Sequence, residues 1–142
     1  MREMSQGRST MSRRVRMRAA VSYDGSLVIG EARDFAGAFL DRAAVRGVPV
    51  AGIKRQDALL VVSELVTNAV RHAPGPCTLA LDLQDGVLEI AVSDTSGRSP
   101  QPQPFEPQRV GQHGLEIVQA LCIRVATETT DLGKTIRAHM IV

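Results

Sequence analysis

The segment from Ile53 to His72 constrains the fold most, because it joins a long helical pattern to an abrupt end. Its apolar residues recur three and four positions apart, at Leu59, Val62, Val66 and Ala69. This spacing places side chains on one face of a helix. The sequence APGP follows directly, and proline cannot continue a helix. We therefore predict a helix from about Ile53 to His72 whose apolar stripe lies on a sheet.

The remaining elements follow from alternation and turns. The segments RVRMRAAVSY, CTLALDLQ and VLEIAVSD alternate apolar and polar residues and predict strands, and the DG between the last two predicts a hairpin. IRVATETT, the turn DLGK and TIRAHMIV predict a closing hairpin. Helical spacing predicts a helix from about Gly30 to Arg46 that stops at Gly47, and another over HGLEIVQALC.

Hairpin-linked strands indicate an antiparallel sheet, because parallel strands need long crossover connections. The predicted order is strand, helix, helix, two strands, loop, helix and two strands. The loop TSGRSPQPQPFEPQRVGQ holds four of the seven prolines. We therefore predict the α+β class: a two-layer sandwich with a mostly antiparallel sheet and helices on one face.

Length and composition indicate one ordinary folded domain. The chain has 142 residues, a net charge of +2 and only 3% aromatic residues, too few for a surface that stacks nucleic-acid bases. Residues 1–20 carry six arginines and one glutamate, which predicts a solvated, disordered arm, with a contact surface for a partner or nucleic acid as the alternative. We expect the folded domain to span residues 21–142. No segment approaches the length of a membrane span, so a cytoplasmic protein with two reduced cysteines is expected.

The predicted long helix carries polar residues on a second face. Glu64, Asn68 and Arg71 are three and four positions apart, and His72 lies beside them. A solvated outer face is one explanation, but asparagine is a poor residue for a helix interior. A buried amide oxygen can bind Mg²⁺, and a carboxylate one turn away can accept a proton. No Cys/His cluster supports a metal at His72, so we expect it to pack or form hydrogen bonds.

Three later segments could also hold a ligand. Asp94 ends a strand, Gly111 and Gly114 lie at a helix start, and Thr135 follows a turn. A carboxylate can bind an exocyclic amino group, and the N–H groups at a helix start can hold phosphates. Ordinary turn chemistry explains each of these segments equally well when it is considered alone.

Taken together and in this order, SELVTNAVRHA, VSDTSG, GQHGLEIV and GKTIRA resemble the GHKL ATPase superfamily. The similarity covers roughly Gly25 to Val142, and the short chain looks most like the bacterial anti-sigma-factor serine/threonine kinases. The resemblance implies a Bergerat fold that binds ATP and Mg²⁺ between its helices, under a lid formed by SPQPQPFEPQ.

The same resemblance implies roles for individual residues. Glu64 corresponds to the general base, Asn68 to the Mg²⁺ ligand and Asp94 to the adenine-binding aspartate. The other implied nucleotide-contacting residues are Arg71 and His72 beside the phosphates, Gly97 in the aspartate motif, Gly111, His113, Gly114 and Leu115 in the lid motif, and Thr135 near adenine.

The resemblance implies a kinase that binds a sigma factor, phosphorylates a serine on a small antagonist protein and forms a homodimer through its sheet. The aspartate motif departs from the usual Asp-x-Gly-x-Gly, since Ser96 and Arg98 replace both glycines. This departure keeps open a second hypothesis, a degenerate module that sequesters its partner without phosphorylating it. A sensor histidine kinase fragment is disfavoured, because the segment before Gly25 is too short for a dimerisation helix.

Overall fold

The computed structural model describes residues 15–24, 29–72, 75–94 and 110–142. Its elements follow the predicted order along the chain. The strands are β1 (Arg16–Tyr23), β2 (Cys77–Gln84), β3 (Val87–Asp94), β4 (Arg124–Thr130) and β5 (Gly133–Ile141). The helices are α1 (Ile29–Val45), α2 (Gly52–His72) and α3 (Val110–Leu121).

The strands form one sheet in the order β1-β2-β3-β5-β4, and every neighbouring pair is antiparallel. The predicted hairpin between β2 and β3 turns at Asp85 and Gly86. Both residues have positive φ, at 53° and 78°, as the tight turn favoured by Asp-Gly requires. This short connection aligns β2 and β3 along their full length.

Alternation gives the sheet a covered inner face and an outer face. In β2 and β3 the buried inner residues are Cys77, Leu79, Leu81, Leu83, Leu88, Ile90, Val92 and Asp94. Helix α2 contacts β2 and β3, α3 contacts β4, and both α1 and α3 pack on α2. The helices therefore form a second layer on the inner face, which confirms the predicted α+β sandwich.

Helix boundaries follow local sequence signals. The stripe on α2 is buried as predicted at Val62, Val66 and Ala69. Helix α1 ends at Val45, and Gly47 adopts a φ of 90° while the Val48 N–H donates to the Ala43 carbonyl at 2.9 Å. This arrangement is a glycine-terminated C-cap, so the predicted stop at Gly47 is confirmed.

Two boundaries differ from the sequence predictions. Strand β1 begins at Arg16, five residues before the predicted start of the folded domain at residue 21. The folded domain therefore begins earlier than predicted. Helix α3 begins at Val110, before the predicted start at His113, and contains both Gly111 and Gly114. A glycine costs a helix interior only about 1 kcal/mol, which packing against α2 can offset.

The predicted arm, for residues 1–14, and the predicted proline-rich lid lie outside the described residues. None of the helices that the structure describes is long and apolar enough to cross a membrane.

An ion pair on the outer face links the edge strand β1 to its neighbour β2. Arg16 donates to both carboxylate oxygens of Asp82, at 3.1 and 2.8 Å. The hydrogen bond from Arg16 lowers the pKa of Asp82, although partial burial opposes the shift. Because the folded-state pKa lies below the unfolded value, the pair stabilises the fold at neutral pH. This contribution is lost as the pH falls through the lowered pKa.

We therefore predict that Asp82→Asn lowers the melting temperature by a few degrees at pH 7, and that this deficit disappears near about pH 2. Melting curves of both proteins at the two pH values measure the difference. Asp131→Asn, in the exposed turn between β4 and β5, controls for the loss of a negative charge. An equal deficit at both pH values would show that the ion pair does not cause it.

Candidate functional site

The polar face of α2 runs from the interior of the protein to solvent. Asn68 is only 4% exposed, whereas Glu64 is half-buried and Arg71 is exposed. Glu64 and Asn68 are separated by one helical turn, a rise of about 6 Å. His72 is the last residue of α2, and its side chain lies outside the described part of the structure. The solvated-face explanation therefore does not hold for Asn68, which is buried.

The second component of the site is the close approach of α3 to Glu64. Gly114 is buried, and a Cβ atom built on it would collide with Oε1 of Glu64 and lie 3.3 Å from the carboxylate carbon. Only glycine leaves room for the carboxylate here. The backbone of α3 therefore forms one wall around the Glu64 side chain.

Asp94 is the third component. It ends β3 on the inner face and is only 6% exposed. Its Oδ1 accepts a hydrogen bond from the Lys134 backbone N–H at 3.3 Å. A Cβ on Gly133, whose φ is 141°, would lie 2.7 Å from the same oxygen. Glycine at this position therefore leaves room for the Asp94 carboxylate.

Cys77 lies beside Asp94 on the inner face, because the two residues pair directly between β2 and β3. Burial raises the pKa of the Cys77 thiol, and the nearby negative charge of Asp94 raises it further. Cys77 and Cys122 are both free thiols; Cys77 is buried and Cys122 is only partly buried. The thiol of Cys77 therefore remains neutral and contributes a small, apolar surface next to the carboxylate.

Chain connectivity places Asp94 near the end of α2. Cys77 follows His72 by five residues, which can span at most about 17 Å. Asp94 pairs with Cys77, so its carboxylate lies at the same end of the molecule as the last turns of α2. The inner face of the sheet, the C-terminal half of α2 and the first turns of α3 together position Asp94, Asn68 and Glu64.

Two other predicted residues are not brought to this group. Thr135 lies on the outer face of β5, where its hydroxyl is 2.8 Å from that of Ser93. Asp94 occupies the inner face, so the structure does not place Thr135 beside it. His113 is exposed and its Nδ1 lies 3.6 Å from Glu116 one turn along α3. The histidine therefore points along the helix surface.

The remaining predicted nucleotide-contacting residues lie in different surroundings. Gly111 lies in the first turn of α3, and Leu115 is partly buried and packs against the hydrophobic core. Gly97 lies outside the described residues. Leu115 therefore anchors α3 to the core through its side chain, while the backbone of Gly111 belongs to the helix terminus.

Neither Lys134 nor Gly133 is among the predicted site residues, although both lie next to Asp94. Lys134 shares the inner face with Ile136 and Ala138, because side chains alternate along a strand. In the structure β3 and β5 pair so that Ser93 faces Thr135, and Asp94 therefore faces Lys134. The sequence alone does not give this register, which depends on the length of the intervening helix and loops.

The donor set fits a Mg²⁺ ion held mainly by phosphate and water. The amide oxygen of Asn68 is a ligand that Mg²⁺ accepts, and this ion keeps several waters in proteins. No group of three or more His, Cys, Asp or Glu side chains suited to a metal occurs among the described residues. The described side chains alone therefore do not form a complete metal site. Mg²⁺ would need a bound ligand, such as a phosphate group, to supply further oxygen atoms.

Comparison with known proteins gives one family match. The model of the histidine kinase-like ATPase domain family matches residues 22–140, which is most of the chain. A search of curated proteins finds no significant match. The family match covers all three components of the site, from α2 through β3 to α3. The chain belongs to the histidine kinase-like ATPase domain family.

Proposed function

We propose that this protein is an ATP- and Mg²⁺-dependent serine/threonine protein kinase of the anti-sigma-factor type. Membership of the family supports ATP binding and is compatible with a kinase. The observation that carries the proposal is the placement of the Glu64 carboxylate against the Gly114 backbone, one turn from the buried Asn68. This arrangement holds a potential proton acceptor beside a potential metal ligand.

Each proposed role follows from the chemistry of the side chain. The Asn68 oxygen would be one ligand of Mg²⁺, which offsets phosphate charge during phosphoryl transfer. Glu64 would accept the proton of the attacking serine hydroxyl. The wall formed by α3 limits the positions that its carboxylate can adopt, which favours a fixed orientation toward the acceptor.

The phosphates would lie at the first turn of α3. Backbone N–H groups in this turn have no acceptor within the helix, and they attract anions. Gly111 adds no side chain to this turn. Arg71, exposed near the end of α2, supplies a positive charge on the same helix as Asn68, and His72 follows it in the sequence. These features support the proposed phosphate contacts of Arg71, His72 and Gly111.

The proposed protein partners are a sigma factor and a small antagonist protein that carries the acceptor serine. The resemblance of the four motifs supports this proposal. A homodimer through the sheet is also proposed. The outer positions of β2 and β3 include Thr78, Ala80 and Ser93. Such small side chains form a flat surface that a second sheet could approach closely.

A second candidate function is supported by the aspartate motif. Ser96 and Arg98 stand where glycines are usual, and side chains there can keep a ligand from the backbone. The protein would then sequester its partner, with or without bound nucleotide, and would not phosphorylate it. Only the first candidate, the kinase, has a turnover that depends on Glu64.

We predict that Glu64→Gln lowers ADP formation from Mg-ATP by about 10²–10⁴-fold, the range for loss of a general base. ATP affinity should change by less than about threefold, because glutamine keeps the shape of the side chain. The assay measures ADP over hours with the protein alone, where water replaces the serine hydroxyl as acceptor.

Glu116→Gln is the matched control for this experiment, because Glu116 lies on the exposed surface of α3. It should leave both ADP formation and ATP affinity at the wild-type values. If the wild type binds ATP but forms ADP no faster than Glu64→Gln, the kinase proposal fails and the sequestering module is favoured.

We also predict that Gly114→Ala impairs turnover, because its methyl group needs the space that Oε1 of Glu64 occupies. Either the carboxylate or α3 must move. Overpacking of this kind costs about 1–3 kcal/mol, which urea unfolding can measure, and ADP formation should fall at least about tenfold.

Gly75→Ala serves as the control, because a Cβ on Gly75 meets no atom within 4 Å. This variant should unfold at the wild-type urea concentration, or slightly above it, and retain its turnover. Wild-type stability and turnover in Gly114→Ala would mean that the helices are not in close contact at Glu64 in solution.

A further inference from the structure

One row of residues crosses the inner face of the sheet at the end where Asp94 lies. Tyr23 pairs with Cys77, and Cys77 pairs with Asp94. The register of β3 and β5, in which Ser93 faces Thr135, continues to place Lys134 opposite Asp94. The backbone N–H of Lys134 donates to Oδ1 of Asp94 at 3.3 Å, which confirms that the two residues are adjacent.

The side chain of Lys134 extends from the same face as the Asp94 carboxylate. Ile136 and Ala138 are buried on the inner face, and alternation places Lys134 with them and Thr135 on the outer face. Lys134 is half-buried, so its side chain partly lines the space above this end of the sheet. The row therefore contains a group that only accepts hydrogen bonds next to a group that only donates them.

This pair is complementary to the pairing edge of a purine. Adenine presents the N6 amino group as a donor and N1 as an acceptor, so Asp94 can accept from N6 while Lys134 donates to N1. Guanine presents O6 as an acceptor and N1–H and the N2 amino group as donors. Lys134 can then donate to O6, while the two Asp94 oxygens can accept from N1 and N2.

We propose that Lys134 is a base-contacting residue that determines nucleotide specificity, and that the site binds GTP with an affinity within about tenfold of that for ATP. The inference rests on the proposed nucleotide site and adds guanine nucleotides to its ligands. A hydroxyl or bound water can satisfy N1 of adenine, so ATP binding does not depend strongly on the lysine. The O6 contact of guanine depends strongly on Lys134, because a hydrogen bond from a charged donor is stronger than one from a neutral donor.

Competition binding tests the proposal. A fluorescent ATP analogue is displaced by ATP or by GTP, both with Mg²⁺, from the wild type and from Lys134→Thr. Loss of a hydrogen bond from a charged group costs about 10–100-fold in affinity, so GTP affinity should fall by that factor in Lys134→Thr. ATP affinity should change by less than about fivefold, and the ratio of the two affinities should therefore shift by at least about twofold.

Lys54→Thr is the matched control. Lys54 is exposed in the first turn of α2, about 27 Å along the helix from His72, so it should leave both affinities unchanged. Melting curves confirm that each variant is folded. A wild type that binds ATP but binds GTP more than about 100-fold more weakly overturns the inference alone. A wild type that binds neither nucleotide overturns the proposed function as well.

Discussion

The close contact between α2 and α3 at Glu64 and Gly114 is the constraint on which the site depends. A carboxylate on a long helix ordinarily samples several rotamers in solvent, but here the backbone of α3 occupies the space on one side of it. The contact also explains why a glycine lies within α3, at a cost to helix propensity. With a larger residue in place of Gly114, the backbone of α3 could not approach the Glu64 carboxylate this closely.

The sheet supplies the second fixed point. Because β2 starts five residues after α2 ends, the chain cannot place Asp94 far from the last turns of α2. Neighbouring backbone holds the Asp94 carboxylate through the Lys134 N–H and leaves room for it at Gly133. The fold therefore holds Asp94, where we propose that the base binds, at the end of the sheet that lies nearest the last turns of α2.

The sequence predicted the elements and the polar face of α2 well, because both depend on spacing within one segment. The hairpin at Asp85 and Gly86 and the stop at Gly47 depend on backbone conformations that few other residues adopt. Prediction was poorer where the outcome depended on distant residues. The start of α3 was missed because α2 compensates for its glycines, and Thr135 was assigned to the ligand because strand register could not be read from one sequence.

The most direct test of the central claim, that Glu64 and Asn68 jointly face a Mg²⁺-bound triphosphate, is a calorimetric titration of ATP into the wild type and Asn68→Ala, with Mg²⁺ and with excess chelator. We expect saturable binding to the wild type that weakens at least about tenfold when Mg²⁺ is removed. In Asn68→Ala the affinity with Mg²⁺ should fall to the level seen with chelator. Equal ATP affinity in all four titrations would contradict the account.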